Sequence, residues 1–91
     1  METIELETDF AAVFHRIKES DLSEAEKLTR AFGWVTSRII EHARQEIELA
    51  QAMSDQESVV KAQIKLSVME HARNIYQDCY RFMIGGGAWD E

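Results

Sequence analysis

The absence of proline from the 91-residue chain constrains its fold more than any other sequence feature. Proline ends or kinks helices because its ring removes a backbone donor and collides with the preceding turn. Three of the four glycines are consecutive, at positions 85–87, so a single helix-weakening glycine, Gly33, precedes them. Long uninterrupted helices are therefore permitted. No segment alternates apolar and polar residues as a strand would, and the sequence predicts an all-α protein.

The first two helices have recognisable start signals. Asp9 precedes apolar residues at helical spacing and is placed to cap a short N-terminal helix. Ser23, followed three residues later by Glu26, forms a capping box. This box predicts a second, long helix over about residues 24–53.

The third helix follows a polar break. Ser54 and Glu57 repeat the capping-box spacing and predict a helix from about residue 55 to residue 84, where the glycines stop it. Two long helices joined by so short a break form an antiparallel hairpin. The predicted segments are an acidic flexible N-terminus over 1–8, one helical domain over 9–84 and a glycine-hinged tail over 85–91.

The third helix is apolar on two sides, which lie roughly a right angle or more apart at about 100° per residue. One neighbouring helix covers one side only, so the other must meet the first helix, a second copy or a partner protein. We favour a homodimer that builds a four-helix-bundle-like assembly. We take the first stripe as the main one, which predicts that Cys79 is a buried, unreactive thiol. The first stripe contains Val60, Ile64, Val68, Ala72, Ile75, Cys79 and Phe82, and the second contains Ala62, Leu66, Met69, Tyr76, Tyr80 and Met83.

Charge and cysteine content exclude several classes of function. The net charge is −7, which argues against direct nucleic-acid binding and against anionic membranes, because both need clustered Lys and Arg. A basic protein partner is compatible with it. The single cysteine forms no intramolecular disulfide and fits a reducing compartment. Without a signal-peptide pattern or an apolar run of about 20 residues, the sequence predicts a cytoplasmic protein.

The tetrapeptide EHAR occurs twice, at 41–44 and 70–73. Amphipathic helices explain most of the repeat, since its alanines fall inward and each glutamate lies three residues before an arginine. In a hairpin that turns near residue 54, His42, Glu46 and His71 come close together. Two imidazoles and a carboxylate are an acceptable zinc or iron ligand set, while the alternative is a buried polar cluster. The ligand spacing of ferritin-like proteins is absent, so we assign no metal and no cofactor to the chain.

The C-terminal end is rich in aromatic and methionine side chains, a composition favoured at protein interfaces. Trp89 follows the glycines and either packs back onto the helices or anchors a partner. No nucleophile, acid and base can be placed together, so the sequence predicts no enzyme. We predict instead a regulator or inhibitor that binds or sequesters another macromolecule, and we favour a protein as that macromolecule. The alternative is a metal- or small-ligand-binding bundle using the histidine cluster. The predicted partner-binding residues are Leu66, Met69, Tyr76, Tyr80, Met83 and Trp89.

Overall fold

The protein consists of three helices, α1 (Glu2–Lys18), α2 (Glu24–Ala52) and α3 (Gln56–Met83). A computed structural model describes the backbone of residues 2–89 and the side chains of residues 10–89. No residue in that part of the chain lies in a strand, and α2 packs with α3 as a hairpin, so the predicted all-α hairpin is confirmed. The chain divides into two compact units, residues 1–35 and residues 36–91.

The first helix is longer than the sequence predicted. It has 17 residues and begins at Glu2, upstream of Asp9, where the cap was expected. No glycine or proline precedes Asp9, so nothing in the local sequence prevents the earlier start. The flexibility predicted for residues 1–8 falls on side chains outside the described set and stays a prediction.

Aromatic contacts and a helix cap organise the first unit. The Phe10 ring lies 5.8 Å from the Phe14 ring and meets the Trp34 ring edge-on at 5.1 Å, an arrangement that aromatic quadrupoles favour.

The Glu26 N–H donates to Ser23 Oγ at 3.2 Å, and the Ser23 hydroxyl donates to Glu26 Oε1 at 3.1 Å. Ser23 therefore caps α2 as predicted, and the Glu26 carboxylate accepts the Ser23 hydroxyl, whereas a full capping box pairs that carboxylate with the backbone N–H.

Ser54 ends α2 in a left-handed conformation. Its φ is 56°, and it occupies the position after the helix end that glycine usually takes. The Ser54 N–H donates to the Gln51 carbonyl at 3.1 Å, and the Asp55 N–H donates to the Ala50 carbonyl at 2.8 Å. These two bonds form a Schellman motif. Because Ser54 has a side chain, its left-handed backbone is strained where glycine would not be.

Asp55, rather than Ser54, caps α3. The Asp55 carboxylate accepts the Ser58 N–H at 3.2 Å and the Ser58 hydroxyl at 2.7 Å. The predicted box of Ser54 with Glu57 is wrong, because Ser54 completes the end of α2 and Glu57 pairs with Lys61 at 3.6 Å. The hydroxyl bond first, and the N–H bond second, hold the pKa of Asp55 below its ordinary value.

Small side chains form the contact between α2 and α3. Ala43 is completely buried, and Ala50 and Ala62 are nearly so. Ile40 and Val59 complete the buried apolar set among the described side chains. Because alanine projects little from the helix surface, two helices that meet through alanines approach closely. The hairpin therefore has a narrow core, and several large apolar side chains of α2 and α3 lie outside it, exposed to solvent.

Two ion pairs cross the hairpin on either side of this alanine contact. Lys65 Nζ lies 2.9 Å from Glu46 Oε1, and Arg44 Nη2 lies 3.3 Å from Glu70 Oε2. All four side chains are roughly half exposed, so each pair contributes at most about 1 kcal/mol. Arg44 and Glu70 belong to different copies of EHAR, so the two copies meet across the hairpin. The spacing within each copy did not predict that contact.

We expect Ser54→Gly to stabilise the protein by roughly 0.5–1 kcal/mol. Glycine avoids the strain of about 1–2 kcal/mol that a side chain causes in the left-handed conformation, but its unfolded chain loses more conformational entropy on folding, which offsets part of the gain. Ser67→Gly is the matched control: Ser67 lies exposed within α3, where glycine is less favourable than serine by about 0.5 kcal/mol. Urea unfolding followed by circular dichroism measures both. The two variants should shift the midpoint in opposite directions, and a loss of stability in both would contradict the role given to Ser54.

The cap of α3 also predicts a pH dependence. Since the folded pKa of Asp55 is depressed, its ionised form contributes stability that is present above the carboxyl's ordinary pKa and lost as pH falls through the folded pKa. Asn caps helices about as well as Asp but carries no charge. The stability advantage of the wild type over Asp55→Asn should therefore shrink below about pH 4. Asp21→Asn removes a charge outside the α3 cap and is the control; an advantage that persists undiminished into acid would refute the prediction.

Candidate interaction surface

An exposed row of apolar side chains runs along α3. It is the first of the two predicted stripes, here named the α3 apolar stripe, in which Ala72 is half-buried and the other six residues are exposed: Val60, Ile64, Val68, Ala72, Ile75, Cys79 and Phe82. Its large members range in exposure from 47% at Val60 to 90% at Phe82, and Cys79 is also exposed. The prediction that this stripe is the main one, with Cys79 buried, is therefore wrong. A row of apolar side chains left in water marks an interaction surface more often than scattered apolar residues do.

The second predicted stripe is the one that packs on α2. Ala62 and its neighbour Val59 are buried, and the larger members are half-buried except Met83. The physical reason lies in α2, whose buried Ala43 and Ala50 offer a shallow surface to the face of α3 that carries the buried Ala62. At the level of Ala62 the α3 apolar stripe carries Val60 and Ile64, whose larger side chains would hold the two helices farther apart there.

The ion pairs show which side of the hairpin carries the stripe. About 100° per residue places Lys65 between the buried face of α3 and the stripe, and Glu70 on the opposite edge. The Lys65–Glu46 pair therefore marks the edge beside the stripe. On α2, Leu49 and Met53 fall on the same side as Glu46 and are 63% and 69% exposed. They extend the apolar surface from α3 onto α2 near the turn.

The histidine cluster does not assemble as a ligand set. His42 is half-buried and His71 is exposed, while the Glu46 carboxylate is held by Lys65. No group of three or more His, Cys, Asp or Glu side chains among the described residues is arranged to hold a metal ion. The described part of the chain therefore gives no support to the metal-binding alternative.

The glycine-hinged tail packs on α3, which answers the question that the sequence left open. The Trp89 indole stacks on the Tyr76 ring with centroids 5.5 Å apart and an interplanar angle of 25°. The Arg73 guanidinium carbon lies 4.3 Å from the Trp89 ring centroid. Of the other predicted partner-binding residues, Met83 is 83% exposed, and the half-buried ones are Leu66, Met69 and Tyr80.

Arg73 is the residue that sequence reasoning missed at this end of the molecule. Its Nη1 donates to Thr36 Oγ1 at 2.9 Å and to Ser37 Oγ at 3.1 Å, so it links α3 to α2 as well as to the tail. The signal was present in the sequence, because Arg73 lies three residues before Tyr76 and so shares its helix face. The EHAR spacing predicts only a surface ion pair for Arg73.

Comparison of the chain with family models, with curated proteins and with solved structures gives no match in any of the three. Within the described residues, none of the helices has the length and hydropathy needed to cross a membrane.

The exposed position of Cys79 predicts ready reaction with a thiol reagent. At high protein dilution, the native protein should react with a disulfide reagent within roughly tenfold of the rate in denaturant, since an accessible thiol needs no unfolding. Absorbance of the released chromophore follows the reaction, and Cys79→Ser gives the background. A native rate limited by global unfolding would mean that the α3 apolar stripe is covered in the single chain.

Proposed function

We propose that this protein is a non-enzymatic interaction protein that binds, and thereby regulates or sequesters, another protein through its helical surface. The observation that supports the proposal is the α3 apolar stripe, whose large side chains are half to nine-tenths exposed. Burying such a surface against another chain is favourable, because it removes apolar area from water. The first partner we assign to it is a second copy, which would complete a four-helix-bundle-like assembly.

The size of the surface supports assembly with a second copy. The five large aliphatic and aromatic side chains of the stripe, with Leu49 and Met53, expose on the order of 800 Å² per chain, close to the area that each partner buries in a stable interface. A small domain with a narrow core gains most from such burial, since its own core supplies little stability.

The charges beside the stripe are compatible with self-association despite the net charge of −7. Lys65 is paired with Glu46, and Lys61 is paired with Glu57. Each pair is locally neutral, so two copies that meet through their stripes bring no uncompensated like charges together at these positions. The remaining negative charge is available to attract a basic protein to the assembled pair and to raise its rate of encounter.

The aromatic end supplies the second part of the proposal. Tyr76, Tyr80, Met83 and Trp89 are residue types that contribute much of the affinity at protein interfaces. Met83 is open to contact, whereas Tyr76 and Trp89 pack on each other. We therefore propose that the stripe joins two copies and that the aromatic end contacts the regulated protein.

Self-assembly predicts that Ile64→Glu separates the copies without unfolding the chain. Ile64 is 59% exposed in the single chain, so helical content should not change. In the assembly, an unpaired buried carboxylate costs about 3 kcal/mol or more, and the dimer dissociation constant should rise at least about 100-fold. Light scattering coupled to size exclusion, over a series of protein concentrations, measures the change.

Gln63→Glu is the matched control, because it adds the same charge to the neighbouring residue, which is exposed and outside the stripe. Wild type and Gln63→Glu should elute as dimers, and Ile64→Glu should elute as a monomer with an unchanged circular dichroism spectrum. A wild type that stays monomeric at every concentration, or equal effects of the two substitutions, would overturn the assembly.

A further inference from the structure

The tail returns to α3 through a sharp reversal. The N–H groups of Ile84 and Gly85 both donate to the Tyr80 carbonyl, at 2.8 and 3.2 Å. Gly85 and Gly86 then adopt φ values of +96° and +78°, a region that favours glycine. The reversal brings Gly87 alongside Gln77, since a Cβ added at Gly87 would lie 4.0 Å from Gln77 Nε2. The last described residue, Trp89, thereby returns to the level of Tyr76.

The surface that receives Trp89 is built from both helices of the hairpin. Tyr76 provides a flat ring, and the Arg73 guanidinium lies over the indole face. Thr36, which is buried, and Ser37 accept hydrogen bonds from Arg73 Nη1 and so fix the guanidinium from the α2 side. A planar cation and an aromatic ring held in place by the fold are complementary to the π face of an incoming ring.

We propose that Arg73 and Tyr76 form a binding site for an aromatic side chain, which Trp89 fills from within the same chain. The tail is thus an intramolecular competitor. An aromatic side chain presented by another protein binds at Arg73 and Tyr76 when the tail swings away.

Three features make Trp89 a displaceable occupant rather than a part of the core. Its side chain is only partly buried, so part of the indole already contacts solvent and is open to an incoming ring. A Cβ added at Gly85 or Gly86 would meet no atom within 4 Å, so the reversal is not wedged between other side chains. Its short tether gives it an effective concentration on the order of millimolar. A ligand of comparable affinity therefore competes with it measurably.

This inference deepens the proposed function, because it names the kind of side chain that the aromatic end takes from a regulated protein, and it rests on that function for its biological meaning. Its physical content does not depend on the α3 apolar stripe. Loss of peptide binding would leave the assembly of two copies standing. A monomeric wild type would likewise leave the aromatic site standing.

The test is a nuclear magnetic resonance titration of the full-length Trp89→Ala variant with a synthetic peptide of residues 85–91. We expect saturable shifts of the backbone amides of Arg73, Tyr76 and Ser37. Wild type should need more peptide for the same shifts, by a factor of about one plus the ratio of the tail's effective concentration to the peptide's dissociation constant. At millimolar effective concentration this factor is about tenfold for a dissociation constant near 0.1 mM. Trp89→Phe should behave like wild type, since a phenyl ring stacks in the same place.

Two controls make the outcome decisive. A peptide with alanine in place of its tryptophan should produce no shifts, and adding Arg73→Gln to the Trp89→Ala variant should abolish binding of the tryptophan peptide. Circular dichroism checks that each variant keeps its helical content; if Arg73→Gln unfolds the chain, Arg73→Lys replaces it and should weaken binding. Absence of saturable shifts in Trp89→Ala, or equal affinity for wild type and Trp89→Ala, would overturn the proposal.

Discussion

The close contact of α2 and α3 through alanines sets the spacing of the hairpin, and the polar contacts between the two helices form at that spacing. Ala43, Ala50 and Ala62 let the helices approach closely. At that separation Lys65 reaches Glu46 and Arg44 reaches Glu70, and Arg73 reaches the hydroxyls of α2. The exposed ion pairs contribute little stability individually, but opposite charges favour one register of the hairpin over its neighbours.

The same contact accounts for the exposed surface. Once the face with Ala62 packs on α2, the α3 apolar stripe must lie on another side of the helix. A chain of 91 residues has few further elements with which to cover it. The narrow core and the open stripe are thus two results of one choice of packing face, and the association that we propose would bury the stripe and enlarge the core.

The aromatic end shows how the hairpin contact reaches the tail. Arg73 is directed by Thr36 and Ser37 of α2, and its guanidinium then lies over Trp89. The position of the tail therefore depends on α2, although the tail is attached to α3. The partner that we propose for the aromatic end would meet a surface already shaped by the hairpin and occupied by Trp89.

The sequence by itself determined the helical class, the start of α2 at its Ser23–Glu26 cap and the stop before the glycines, because each of these depends on residues a few positions apart. It did not determine that Ser54 ends α2 while Asp55 caps α3, since both residues suit a cap. It also predicted two apolar stripes correctly but not which one faces α2. Only tertiary structure decided that rotation, because it depends on alanines of another helix, far away in sequence. The placement of Arg73 between α2 hydroxyls and Trp89 was decided in the same way.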